Sequence, residues 1–230
     1  NIRGTGDSAV ADVHVYEPPT IIRKPQAEFS VYLSDPHLLN LTCVARGYPQ
    51  PRVTWYQEGD TQSLNQRSDL FTVVMTTSVT DVYSVKVEST LQFKGSGREK
   101  SGRMTSLLTR DMGNYSCQAE SDKHSNTPVE HTKLLINFPP VLEATATRLA
   151  VSRLEKAEIT CSAQAYPSPT FLWFYQGQQL TSGRSGVVVT QEPLGGIGRM
   201  KSRLVIVSVT NQSLGLYRCL ASNLLGNISQ

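Results

Sequence analysis

The sequence predicts an all-β chain of two domains, and three observations carry that reading. Cysteine, tryptophan, tyrosine and cysteine recur in one order twice, as Cys43, Trp55, Tyr115, Cys117 and as Cys161, Trp173, Tyr217, Cys219. Apolar and polar residues alternate over short runs, and no long stretch has a clean 3.6-residue period. Turn signals such as Tyr48-Pro49-Gln50-Pro51 and Tyr166-Pro167-Ser168-Pro169 separate those runs at equivalent points of the two repeats. The 230-residue length agrees with two domains at roughly 100–150 residues each.

The elements follow in order. Glu17-Pro18-Pro19 and Phe138-Pro139-Pro140 are alike. A proline pair fixes φ and removes backbone donors, so each ends one domain and opens the next. The expected domains are 18–138 and 139–230, preceded by residues 1–17 as the last strand of an upstream domain, with Val10, Val13 and Val15 along it. Asn1-Ile2-Arg3-Gly4 resembles Asn223-Leu224-Leu225-Gly226, which points to a cut through a longer array with the second domain truncated at its C-terminus. On the strand carrying Cys43, Leu39 and Leu41 share the cysteine's face while Asn40 and Thr42 take the other. In the second domain Leu204 and Ile206 point one way, with Val209 beyond. Each tryptophan lies twelve residues after the first cysteine of its repeat, and each tyrosine two before the second. From cysteine to cysteine the first domain spans 74 positions against 58, and the excess falls in an insertion at about 94–104, rich in Gly, Ser and charge. Such a segment reads as an exposed loop.

Four cysteines allow three connectivities. The repeat selects Cys43–Cys117 and Cys161–Cys219, because each pair then lies within one repeat. The pattern resembles tandem immunoglobulin domains of the intermediate set. The first repeat reads Asp111-Met112-Gly113-Asn114-Tyr115-Ser116-Cys117, the full D-x-G-x-Y-x-C motif; the second reads Ser213-Leu214-Gly215-Leu216-Tyr217-Arg218-Cys219, with serine in place of aspartate. The resemblance covers nearly the whole chain. It implies Greek-key β-sandwiches arranged end to end, a disulfide joining two sheets in each, Trp55 and Trp173 packed on the disulfides, and Tyr115 and Tyr217 as tyrosine corners. Ser213 is expected to hold its corner less firmly than Asp111.

Disulfides within repeats imply an oxidising compartment. Asn40, Asn114, Asn211 and Asn227 each open an N-x-S/T sequon. Alternation turns Asn40 and Asn114 away from the inward cysteines, while Asn211 and Asn227 fall in turns, so all four are expected at the surface as glycosylation sites. The chain is therefore read as extracellular, the ectodomain of a single-pass plasma-membrane protein whose span lies outside this sequence. Short apolar runs such as Leu204 to Val207 are far below the ~18 residues a span needs.

Composition excludes several function classes. A net charge of +3 from 22 basic and 19 acidic residues is too balanced for nucleic acid as main partner. With every cysteine in a disulfide, none serves as nucleophile or metal ligand, and His14, His37, His124 and His131 have no ligand spacing. Gly4 to Ala9 fits G-x-G-x-x-A only on paper, lacking the strand and helix a dinucleotide loop requires. The reading is a non-enzyme with no cofactor and no metal.

A binding face remains. In the first domain Arg52, Thr54 and Tyr56, with Asn114, Ser116 and Gln118, form a polar outward face. In the second, Trp173 and Cys219 point inward, so Leu172, Phe174, Leu216 and Leu220 are expected to form an outward apolar patch around Arg218. An apolar patch with an arginine has the composition of a binding hot spot. The family resemblance implies an adhesion or recognition receptor, similar to nephrin- and Echinoid-type molecules, binding the same or a related immunoglobulin receptor. The alternatives are the ectodomain of a kinase- or phosphatase-type signalling receptor, or a matrix protein holding heparan sulfate through Arg98, Lys100 and Arg103.

Overall fold

The structure is a computed structural model describing residues 13–35, 39–98, 107–144, 148–183 and 186–230. Its strands are β1 (Glu17–Arg23), β2 (Glu28–Tyr32), β3 (Asn40–Tyr48), β4 (Arg52–Gln57), β5 (Thr72–Asp81), β6 (Ser84–Gln92), β7 (Gly113–Glu120) and β8 (Val129–Leu142). There follow β9 (Ala157–Tyr166), β10 (Thr170–Tyr175), β11 (Gln178–Leu180), β12 (Val187–Pro193), β13 (Arg199–Ile206), β14 (Tyr217–Asn223) and β15 (Gly226–Ser229). The only helical turns among the described residues are short 3-10 segments. None is long and apolar enough to cross a membrane.

The strands form sheets of order β1-β3-β6-β5, β11-β10-β14-β15 and β12-β13-β9-β8-β7-β4, with β2 parallel to β8. Packing divides the chain into two units, one of Asn1–Ala27, His37–Thr105 and Asn114–Thr132, the other of Glu28–Pro36, Ser106–Gly113 and Lys133–Gln230. The division falls inside β8, between Thr132 and Lys133; within the second unit Lys133–Asn137 run beside β2, and Phe138–Leu142 pair antiparallel with β9.

In the first unit β3 and β7 carry Cys43 and Cys117, joined with Cα atoms 6.5 Å apart. Leu41, Val53, Trp55, Val87, Leu91, Phe93 and Tyr115 are buried with them. In the second, Cys161 on β9 and Cys219 on β14 are joined at 6.4 Å among Ala163, Phe171, Trp173, Leu204, Ile206 and Val209. The burial of β13 and β7 alternates residue by residue, which is the pleat of a strand with one face on a core.

Both tryptophans are fixed by a contact that the motif reading did not include. Trp55 Nε1 donates to Ser89 Oγ at 3.0 Å, and Trp173 Nε1 donates to Ser202 Oγ at 2.9 Å. Ser89 lies opposite Cys43 and Ser202 opposite Cys161 in their ladders, and both serines are fully buried. An indole N–H that had no acceptor there would bear the cost of an unsatisfied buried donor. The signal is present in the sequence as Ser89-Thr90-Leu91-Gln92-Phe93 and Ser202-Arg203-Leu204-Val205-Ile206, a serine two residues before the first of two inward apolar residues.

The second tyrosine corner is made without an aspartate. Tyr217 Oη donates to the Ser213 carbonyl at 2.9 Å, and Ser213 Oγ accepts from the Thr210 N–H at 3.2 Å. Asp111 makes the equivalent bond in the first repeat, accepting from the Leu108 N–H at 2.7 Å. Serine keeps the geometry but gives up the charge, and the bond is longer. The Tyr217 ring stacks on Tyr175 at 4.7 Å, and burial, with Tyr175 second, pushes the Tyr217 phenol above the ordinary tyrosine range.

The insertion departs from expectation. Lys94, Ser96 and Gly97 are exposed, but Gly95 and Arg98 are packed. Gly95 approaches the Asp69 carbonyl so closely that an added Cβ would stand 2.3 Å from its oxygen, and the Gly97 N–H donates to that same carbonyl at 2.7 Å. Arg98 is turned inward, 4% exposed, its guanidinium 5.0 Å from the Phe71 ring and 5.5 Å from the Phe93 ring, with Nε donating to the Leu70 carbonyl. It is therefore a core residue and not a cation offered to a polyanion. Lys100 and Arg103 lie outside the described residues. Near the N-terminus, Val13 and Val15 are exposed and outside any strand, and Val10 lies outside the described residues.

Candidate interaction face

The outward face of the β11-β10-β14-β15 sheet follows from its register. Leu172 pairs with Leu220 and Phe174 with Arg218, while Trp173 pairs with Cys219 on the inner side. Side chains directly opposite in an antiparallel pair share a face. Leu172, Phe174, Arg218 and Leu220 therefore lie together on the outside, and Gln179, opposite Phe174 on β11, extends the same row.

The arginine is held within that group. Arg218 Cζ lies 5.0 Å from the Phe174 ring centroid. A guanidinium stacked on an aromatic ring keeps its donors at the rim, free to meet a carboxylate or carbonyl. Phe174, covered by Arg218, is half-buried; Leu172 is 38% exposed. The chemistry is that of a binding surface, apolar with one cation.

Leu216 separates from this group. It stands one residue before β14, is 91% exposed, and lines a cleft of about 430 Å³ of mixed character, with Leu149, Val151, Leu214 and Tyr217 but also Arg148, Glu158 and Gln230. Alternation placed it on the same side as Arg218 but could not say where the strand begins.

In the first unit the face carrying Arg52 and Asn114 is polar, as its composition indicates, though Thr54 is buried. The Arg52 guanidinium donates to Glu120 at 2.5 Å, which holds its pKa above the usual arginine value. Asn114 Nδ2 donates to Glu58 at 2.6 Å.

Asn40, Asn114, Asn211 and Asn227 are all exposed. Asn227 has a consequence for the apolar face. It pairs with Ser222, which pairs with Thr170, so these three residues form the next outward row beyond Leu172 and Leu220. A glycan attached at Asn227 would border the patch on that side.

Among the described residues no group of His, Cys, Asp or Glu is arranged to hold a metal ion.

The model of the immunoglobulin domain matches residues 18–121 and 139–223. Human Hemicentin-1 is 25% identical over 233 residues, a match covering the whole of this chain and 4% of that protein. Rat limbic system-associated membrane protein is 26% identical, with 82% of this chain and 44% of that protein covered. Protein amalgam of Drosophila melanogaster is 26% identical, with 94% and 55% covered. The chain thus spans at most about half the length of these relatives. Among solved structures, a crystal structure of Dpr2 Ig1-Ig2 in complex with DIP-Theta Ig1-Ig3 superposes with a TM-score of 0.67 at 22% identity, covering 94% of this chain and 63% of that one. Titin Ig tandem domains A164-A165 superpose with a TM-score of 0.60 at 19% identity, covering 94% and 95%.

Proposed function

This chain belongs to the immunoglobulin-domain family, and from that premise we propose that it is the extracellular, protein-binding part of a cell-adhesion or recognition receptor. The carrying observation is the outward row of Leu172, Phe174, Arg218 and Leu220, an apolar surface with an arginine stacked on its phenylalanine. Two disulfides within the units and four exposed sequons support an extracellular setting. The relatives named for a membrane location and the complex between Dpr2 and DIP-Theta support a protein partner of the same family. Fold alone does not set function, so the face carries the reading.

Covering the remaining exposed surface of each of these apolar side chains contributes about 1 kcal/mol. Monovalent binding of this kind is weak, and adhesion builds strength through many copies. The partner approaches from the Phe174 end, because a glycan at Asn227 borders the other. Heparan sulfate is not part of the proposal: one of its three cations, Arg98, is inside the protein.

The test is aggregation of beads coated with the chain, or of cells displaying the whole ectodomain. Phe174→Arg places a second cation beside Arg218 and removes the central ring. Aggregation is expected to disappear while secretion and melting stay unchanged. Aggregation at the wild-type level would move the binding site elsewhere.

A further inference from the structure

We infer that the free edge of β5 is a self-association site, where a second copy of this chain pairs its own β5 antiparallel about a two-fold axis at Thr76. The inference is independent of the face proposed above, since it concerns another sheet in the first unit.

An edge strand offers a row of backbone donors and acceptors to any strand that fits, and proteins guard such edges with proline, charge, shortness or a covering group. Among the described residues the other edge strands carry such guards, β2 being five residues long with Glu28 at its start. β1 holds Pro18 and Pro19 between charged ends, β12 ends in Glu192-Pro193, β11 has three residues and β15 four. β4 is covered by a side chain: the Trp55 N–H donates to Asn65 Oδ1 at 2.9 Å, and Asn65 Nδ2 donates to the Val53 carbonyl at 3.2 Å. The Asn65 amide thus stands in for a neighbouring strand.

β5 has only Asp81, at its last position. It is ten residues long, pairs with β6 on one side, and ends the order of its sheet on the other. From Thr72 to Thr80 it contains no charge, no proline and no glycine, and it is rich in β-branched residues. Its apolar side chains are exposed, Met75 at 53% and Val79 at 76%. Nothing in this stretch repels another β strand.

The sequence of the edge also selects its partner. With Thr76 at the two-fold axis, Val73 meets Val79 of the second copy, Val74 meets Ser78, Met75 meets Thr77, and Thr76 meets Thr76. β-branched residues meet each other or a small side chain, and no like charges face one another. The register keeps the faces consistent. Val73, Met75, Thr77 and Val79 are opposite Leu91, Ser89, Val87 and Val85 on the inner side of β6, so inner side chains meet inner side chains. The two four-stranded sheets become one of eight, joined at a closed, isologous contact. Asn40 lies on β3, with β6 between it and the edge, so a glycan there does not occupy the seam.

Seven paired residues span about 24 Å. A seam that narrow buries less than the roughly 1,200 Å² of a stable complex, so the dissociation constant belongs in the range of ~10 μM to ~1 mM. The whole 230-residue chain is tested by sedimentation equilibrium up to about 1 mM and by oxidative cross-linking of surface cysteines. Thr76→Lys sets two lysines against each other at the axis and is expected to weaken self-association at least tenfold. Thr76→Cys is expected to cross-link to itself, since directly opposite Cα atoms lie within disulfide range. Ser78→Cys alone is expected not to, its own copy being about 14 Å away along the seam, whereas a mixture of Ser78→Cys with Val74→Cys is expected to cross-link. A chain that stays monomeric throughout, a dimer indifferent to Thr76→Lys, or cross-linking of Ser78→Cys as fast as Thr76→Cys overturns the inference.

Discussion

Replacing Arg98 by alanine separates a structural cation from a ligand-binding one. In the structure the guanidinium lies on two rings, Phe71 at 5.0 Å and Phe93 at 5.5 Å, and Nε donates to the Leu70 carbonyl. A desolvated cation–π contact contributes about 1–2 kcal/mol, and a buried carbonyl left without its donor costs about 1–3 kcal/mol. The arginine stem also fills space between the rings that alanine leaves empty. These contributions overlap because they share one side chain, so the expected loss is about 3 kcal/mol and not their sum. For a domain of this size that is a fall of roughly 10–20 °C in the melting transition. Arg98→Lys is expected to recover little, since an ammonium has no planar face to lay on two rings. The assay is urea unfolding of the whole chain, with the Trp55 fluorescence change reporting the first unit, alongside retention on a heparin column. Loss of stability with unchanged retention is the expected result. A stability change below about 0.5 kcal/mol, the range of ordinary surface substitutions, with retention lost, would refute the burial argument and return Arg98 to the surface.

Three further outcomes follow from the same contacts. Ser202→Ala leaves the Trp173 indole N–H without its acceptor, and Ser89→Ala does the same to Trp55; each is expected to cost about 1–3 kcal/mol by denaturant titration, and Ser→Thr, which keeps the hydroxyl, less. The second unit is expected to lose stability as pH rises above about 10. Burial raises the folded pKa of Tyr217, so the native state holds its proton where the unfolded chain has released it; the contribution is complete below the unfolded value and is lost as pH climbs through the folded one. Tyr217→Phe should flatten that alkaline slope while lowering stability at neutral pH through loss of the bond to the Ser213 carbonyl; an unchanged slope would assign the effect to another group. Asn227→Gln, by removing the sequon at the border of the apolar face, is expected to strengthen aggregation of a glycosylated chain and to leave a deglycosylated one unaffected.

Strand parity and the repeated motif settle which residues pair and which side each one takes. Each tryptophan and each cysteine is inward because a strand has a period of two and the core takes one parity. The same parity places Leu172, Phe174, Arg218 and Leu220 outward, and their ladder register brings them into one row. Ser89 and Ser202 were legible too, as a repeated serine in an alternating run, though only the tertiary contact reveals what the hydroxyl accepts. What alternation cannot give is which element lies beside another, or where a strand stops. Leu216 shows the second limit, falling outside β14 and onto a cleft. Arg98 shows the first. Its segment has no period, and glycines that read as slack are instead demanded by the close approach of Gly95 to Asp69. Asn65 covering β4, and β5 left at the end of its sheet's strand order, are likewise outcomes of neighbours distant in sequence. Only the folded chain decides these, because a loop's place is set by the shape of the surface it packs on and a strand's edge by whatever arrives beside it.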